Sequence, residues 1–143
     1  VGEKSRHYSD RSSHRLEKAM IRYYLVLAAL FGFTGVALGA FASHGLRSQL
    51  SPAYLAVFQT GVQYQMIHAL ALFGVALLAL QWPSRLLNAA GALFAAGILL
   101  FSGSLYLLTL SGIGKLGMIT PIGGTAFLAG WLCLGLAGWR LRG

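Results

Sequence analysis

Tyr64, Gln65 and His68 share one short apolar stretch, YQMIHALAL. On a helix, Tyr64 and His68 stack four apart on one face, with Gln65 three before His68. An imidazole in such surroundings has three chemical uses: it carries a proton, ligates a haem iron, or hydrogen-bonds between helices. A second set of polar groups, Ser102, Ser104 and Tyr106, lies in LLFSGSLYLLTLSG, and Thr120 opens another apolar run. His44 stands at the end of the first such run. Together His44, Tyr64, Gln65, His68, Ser102, Ser104, Tyr106 and Thr120 form the candidate binding set. One reading has them line a pocket for a small molecule or a lipid headgroup. The plainer one has them tie helices together, because an unpaired polar group in hydrocarbon is costly. Facing histidines hold haem in some helical bundles, but His44 lies too near a helix end, so no cofactor is expected.

Reaction chemistry is otherwise missing. The acidic residues are Glu3, Asp10 and Glu17, and none occurs from Ile21 to Gly143. That region has no carboxylate for acid–base work, no nucleophile–base pair at a recognisable spacing and no phosphate-cradling glycine loop. The glycines at 112, 114, 117, 123 and 124 suit a tight turn and close packing instead. Cys133, the only cysteine, reads as a small packing residue. His7 and His14 lie isolated in polar sequence, so no metal is expected. The chain is read as non-enzymatic. Its net charge of +8 invites a nucleic-acid reading. From Ile21 onward, however, the basic residues are Arg22, Arg47, Arg85, Lys115, Arg140 and Arg142, spread over the loops and ends. They form no phosphate-tracking stripe, and no nucleic-acid partner is expected.

The elements that must position these residues are membrane helices. Of the 143 residues, 57% are hydrophobic and 10% charged, too little polar surface for a water-soluble domain of this size. The fold class is an all-α membrane protein, a four-transmembrane-helix bundle with segments at about 23–42, 62–81, 86–110 and 120–139. Some twenty apolar residues suffice to cross a hydrocarbon core of about 30 Å. Segment two starts sharply, with Ser51 as N-cap and Pro52 at the first helical position. Its first half sets Gln59, Thr60, Gln63 and Gln65 against an apolar stripe of Leu55, Phe58, Val62 and Met66, an amphipathic pattern suited to the interface or to neighbouring helices. Trp82-Pro83-Ser84-Arg85 ends it with an interfacial tryptophan and a breaker. Gly35 and Gly39 form a GxxxG that permits close crossing, and Gly103, Gly123 and Gly124 are placed at helix contacts in the same way. Residues 1–20 are polar and without apolar periodicity. They are expected to be a disordered N-terminal extension preceding a membrane domain at 21–143.

Orientation follows from the basic residues. Arg22, Arg85, Arg140 and Arg142 fall on one side of the four segments, and Arg47 and Lys115 on the other. The positive-inside bias therefore places both termini in the cytoplasm. The candidate binding set then gathers toward the outer leaflet.

Four blocks, in order, carry a family resemblance: GVALGAFASHGL at 35–46, YQMIHALAL at 64–72, LLFSGSLYLLTLSG at 99–112 and ITPIGGTAFLAGW at 119–131. They resemble the small membrane proteins of domain-of-unknown-function family 423, the YgdD-like and YwdK-like proteins, and are similar to the eukaryotic transmembrane protein 256. The resemblance runs from about Met20 to Trp139, and the stretch before Met20 departs from it. It implies a multi-pass, four-helix protein of the bacterial inner membrane. It brings no activity, substrate or cofactor to transfer.

Two functions from different classes fit these observations. The first is a non-enzymatic bundle that binds lipid or joins a complex, its partners being the bilayer and other membrane proteins or a second copy of the chain. The alternative is a small transporter with an outward-facing polar pocket around His68, where the imidazole would replace the missing carboxylate as proton carrier.

Overall fold

The computed structural model of the chain describes residues 2–141, with side chains from residue 9. Helix α1 spans Gly2–His44 and α2 spans Pro52–Gln81. Helix α3, Arg85–Gly97, passes through a π-helical turn at Ile98–Ser102 into α4, Gly103–Ser111. A 3₁₀ turn at Gly114–Met118 then leads into α5, Thr120–Arg140. Four helical stretches are long and apolar enough to cross a membrane, with α3, the π turn and α4 counting as one. No strand occurs among the described residues.

Local chemistry explains the boundaries. The Ser51 hydroxyl accepts from the Tyr54 amide at 3.2 Å, with Pro52 next to it, where a missing N–H costs nothing. Pro83 stops α2, and Ser84 restarts the chain by accepting from the Leu87 amide at 3.0 Å. Gly112 ends α4 at φ +73°, a left-handed conformation that glycine adopts without strain.

Three expectations need correction. The helix does not begin near residue 20: α1 already starts at Gly2, although the described side chains at 9–18 are exposed. Extending a formed helix avoids the cost of nucleation. The exposed turns also add local support, with His14 lying 3.7 Å from both Asp10 and Glu17. Segment two is longer than the 62–81 span expected, since α2 is one apolar helix of 30 residues, about 45 Å long. Its first turns pack on the end of α1, where Phe58, Ala42 and Leu46 are fully or almost fully buried together. The third segment is not a uniform α-helix. Its π turn packs backbone to backbone on α5, where a Cβ on Gly123 would stand 2.7 Å from Phe101 Cα.

Helices consecutive in the chain pack antiparallel, whereas α2 and α5 run parallel, Tyr64 meeting Phe127 and His68 meeting Trp131. Tyr24 and Ala28 of α1 pack with Leu72 and Ala76 of α2, while Ala42 meets Phe58. Along α3 and α5, glycines on each helix receive phenylalanines from the other: Phe94 against Gly130, Phe127 against Gly97, and Phe101 against Gly123. α2 and α5 approach each other little by backbone. The space between them is filled by aromatic rings, with Phe127 stacked on His68 at 3.6 Å. The perimeter is apolar and open, Phe33, Leu70, Leu107, Leu128 and Leu132 among many exposed large side chains, as a lipid-facing surface requires.

Candidate functional site

The polar residues form separate hydrogen-bonded groups, most of them on α2 and one between α4 and α5. Gln65 is 3% exposed and fully engaged. Its Nε2 donates to the Phe31 carbonyl and to Thr34 Oγ1 of α1, each at 2.8 Å. Its Oε1 accepts from the Tyr106 hydroxyl of α4 at 2.7 Å. The Phe31 carbonyl and the Tyr106 hydroxyl fix which way the amide faces, since a carbonyl can only accept. One side chain thus joins three helices.

The hydroxyls of the third segment form two further ties. Ser102, fully buried in the π turn, donates to the Gly61 carbonyl of α2 at 2.6 Å. Ser104 lies 2.6 Å from Thr120 Oγ1 at the start of α5 and donates to the Phe101 carbonyl at 2.8 Å. The π turn matters here. It directs Ser102 toward α2 while Phe101 packs against Gly123 and Phe127 of α5.

His68, 4% exposed, belongs to neither group. Its Nδ1 lies 2.7 Å from the Tyr64 carbonyl, which can only accept, so Nδ1 carries the proton. Its Nε2 then accepts from Trp131 Nε1–H of α5 at 3.1 Å. Both nitrogens of this neutral ring are occupied, and its face is covered by Phe127. Neither nitrogen is free to ligate iron. Tyr64 is 39% exposed and contributes its ring to the aromatic seam, stacked 4.5 Å from Phe101. His44 is exposed at the end of α1, apart from all these groups. Among the described residues, no buried side-chain nitrogen or oxygen lacks a hydrogen-bond partner.

The glycines separate as well. A Cβ on Gly35 would stand 2.5 Å from Met66 Sδ, and one on Gly39 3.3 Å from Val62 Cγ1, so this face of α1 lies on α2. A Cβ on Gly123 would overlap the Phe101 backbone, whereas Gly124 makes only an ordinary contact with the Phe101 ring at 3.8 Å. Gly103 has nothing within 4 Å of where its Cβ would be, so it is not at a helix contact. Sequence reasoning did not assign Thr34 or Trp131 to the site. A hydroxyl and an indole N–H in apolar runs were the available signals, since both groups need partners there. A Tyr24–Asn88 tie, with the hydroxyl 2.7 Å from the Asn88 carbonyl, was also not expected.

A family model described as Protein of unknown function (DUF423) matches residues 38–124. The UPF0382 membrane protein YwdK of Bacillus subtilis is 46% identical over 118 residues, which cover 82% of this chain and 96% of the relative. The chain belongs to the DUF423 family. The UPF0382 inner membrane protein YgdD of Escherichia coli is 40% identical over 121 residues, 85% of this chain and 92% of that one. A UPF0382 membrane protein of Haemophilus influenzae is 46% identical over 119 residues, 83% and 95% of the two chains. No solved structure matches the chain. This DUF423 protein is a multi-pass integral protein of the bacterial inner membrane. The DUF423 match contains Gln65, His68, Ser102, Ser104, Tyr106 and Thr120 but stops short of Thr34 on one side and Trp131 on the other.

Proposed function

We propose that this DUF423 protein is a non-enzymatic, lipid-binding helical bundle with both termini in the cytoplasm. The observation that carries the reading is how the interior polar groups are used. Gln65, Ser102, Ser104, Tyr106, Thr120, His68 and Trp131 all hydrogen-bond from one helix to another. Such closed ties stabilise a bundle and leave no polar atom poised for a reactant. A proton-coupled transporter would need His68 to exchange its proton, yet Tyr64 and Trp131 hold both ring nitrogens. The open apolar perimeter supports binding at the lipid-facing surface over passage through the middle.

Extraction in mild detergent followed by native mass spectrometry tests the binding. Phospholipid adducts that survive delipidating washes are expected. A lipid-free chain held in a fixed ratio by another membrane protein would replace this reading with that of a complex subunit.

Reporter fusions test the orientation. Fusions after Arg85 and Gly143 are expected to report cytoplasm, and fusions after Arg47 and Lys115 the opposite face. Reversal at any two of these points would overturn it.

A further inference from the structure

Two clefts flank the connection between α2 and α3. The smaller, about 330 Å³, is bordered by Leu16, Glu17 and Met20 of α1 together with Tyr24, Arg85 and Asn88. The larger, about 460 Å³, lies between the last turns of α2, the first turn of α3 and the last turns of α5. Its lining is two-natured. Leu78, Leu87 and Leu134 supply apolar surface, while Trp82, Arg85 and Arg140 supply an aromatic and two cations.

Among the described residues the two arginines have no acidic partner. Beyond Glu17 the chain contains no carboxylate side chain. Among the described residues the only ion pairs are those of His14 with Asp10 and Glu17, so Glu17 and Arg85 border the smaller cleft without pairing. Among the described residues nothing therefore neutralises the positive charge of Arg85 and Arg140 at this end. Guanidinium groups match phosphate oxygens in geometry as well as charge, often through paired hydrogen bonds. A free anion would use the arginines and leave the leucine surface idle, and a neutral lipid would do the reverse. One molecule that uses both is an anionic phospholipid. Trp82 and Trp139, 48% and 84% exposed, lie at the same end of the bundle, as tryptophans do at headgroup depth.

We propose that the cleft between the ends of α2, α3 and α5 binds an anionic phospholipid. Its phosphate lies with Arg85 and Arg140, and an acyl chain follows Leu78, Leu87 and Leu134. This assignment rests on the lipid-binding reading above and gives it a ligand class and a place. It also places the bound lipid in the cytoplasmic leaflet, because that reading puts both arginines on the inner side. A basic recess between helix ends on that side is suited to acidic headgroups.

The test uses the full chain in detergent micelles, titrated with phosphatidylglycerol or with phosphatidylcholine and followed by native mass spectrometry and thermal unfolding. Saturable binding and stabilisation by phosphatidylglycerol are expected, with phosphatidylcholine and millimolar inorganic phosphate giving neither. The double variant Arg85→Gln/Arg140→Gln should bind phosphatidylglycerol roughly thirty-fold more weakly, about fivefold for each cation near an acidic lipid surface. Arg85→Lys/Arg140→Lys, which keeps the charge but not the paired hydrogen bonds, should bind more weakly than the parent and more tightly than the glutamine variant, which separates charge from a folding defect. Arg47→Gln/Lys115→Gln, at the other end, should leave it unchanged. Equal binding by the parent and the Arg85→Gln/Arg140→Gln variant would overturn the cleft while leaving the lipid-binding reading standing. No phospholipid of either kind binding the parent would overturn both. Stabilisation by inorganic phosphate alone would replace the lipid with a soluble anion.

Discussion

Gly123→Ala is expected to destabilise the bundle by about 3 kcal/mol, the upper range for overpacking a closed contact. The added methyl carbon would lie 2.7 Å from Phe101 Cα and closer still to the Phe101 amide, and backbone cannot rotate away as a side chain can. The π turn holds Phe101 in place through its neighbour Ser102, which is bonded to Gly61. α3 and α5 would have to separate, opening the Phe94–Gly130 and Phe127–Gly97 contacts as well. Gly103→Ala is the matched control. With nothing within 4 Å of its Cβ position, it should gain about 0.5–1 kcal/mol from improved helix propensity. Unfolding of both variants in detergent by thermal scan or denaturant titration gives the comparison. A Gly123→Ala protein as stable as its parent would mean that the two backbones are not in contact.

Gln65→Leu is expected to cost about 2 kcal/mol. Interhelical hydrogen bonds in membranes average about 0.6 kcal/mol and reach about 1.7 kcal/mol, and Gln65 makes such bonds to Phe31, Thr34 and Tyr106. Leucine keeps the apolar volume but leaves the Tyr106 hydroxyl without its acceptor, so the loss reports mainly on hydrogen bonding. Tyr106→Phe should cost less on its own, about 1 kcal/mol. In the double variant the two losses should fall short of additive by about 0.6 kcal/mol or more, the signature of direct contact. Full additivity would show that the Gln65–Tyr106 bond contributes nothing, and α4 would then be held to α2 by packing alone.

Much of the architecture was legible because a bilayer restricts the chain to few solutions. Long apolar runs without acidic residues can only become spanning helices, since every backbone group must be satisfied within its own segment. Ser51-Pro52, Pro83-Ser84 and Gly112 mark the boundaries for purely local reasons, and the helices begin and end there. The family was legible in the same way, from blocks that carry the glycines and hydroxyls. The start of α1 was not. Polar residues 1–20 show no apolar period, and their helix continues from the membrane segment that follows.

The polar set shows where local reading ends. The sequence alone determined that Tyr64, Gln65 and His68 share a helix and that Ser102, Ser104 and Tyr106 lie on the segment returning beside it. Depth in the membrane follows from such counting, but azimuth does not, because each helix can rotate until its side chains find partners. Only the tertiary structure gave Gln65 to Thr34 and Tyr106, and His68 to Trp131 and the Tyr64 carbonyl. It also inserted the π turn, which shifts the facing residues by a fraction of a turn and which no side-chain pattern announces. The glycines behave in the same way. Gly103 and Gly123 look alike in sequence, yet one faces open space and the other the Phe101 backbone, because a glycine's neighbour is chosen by the opposite helix.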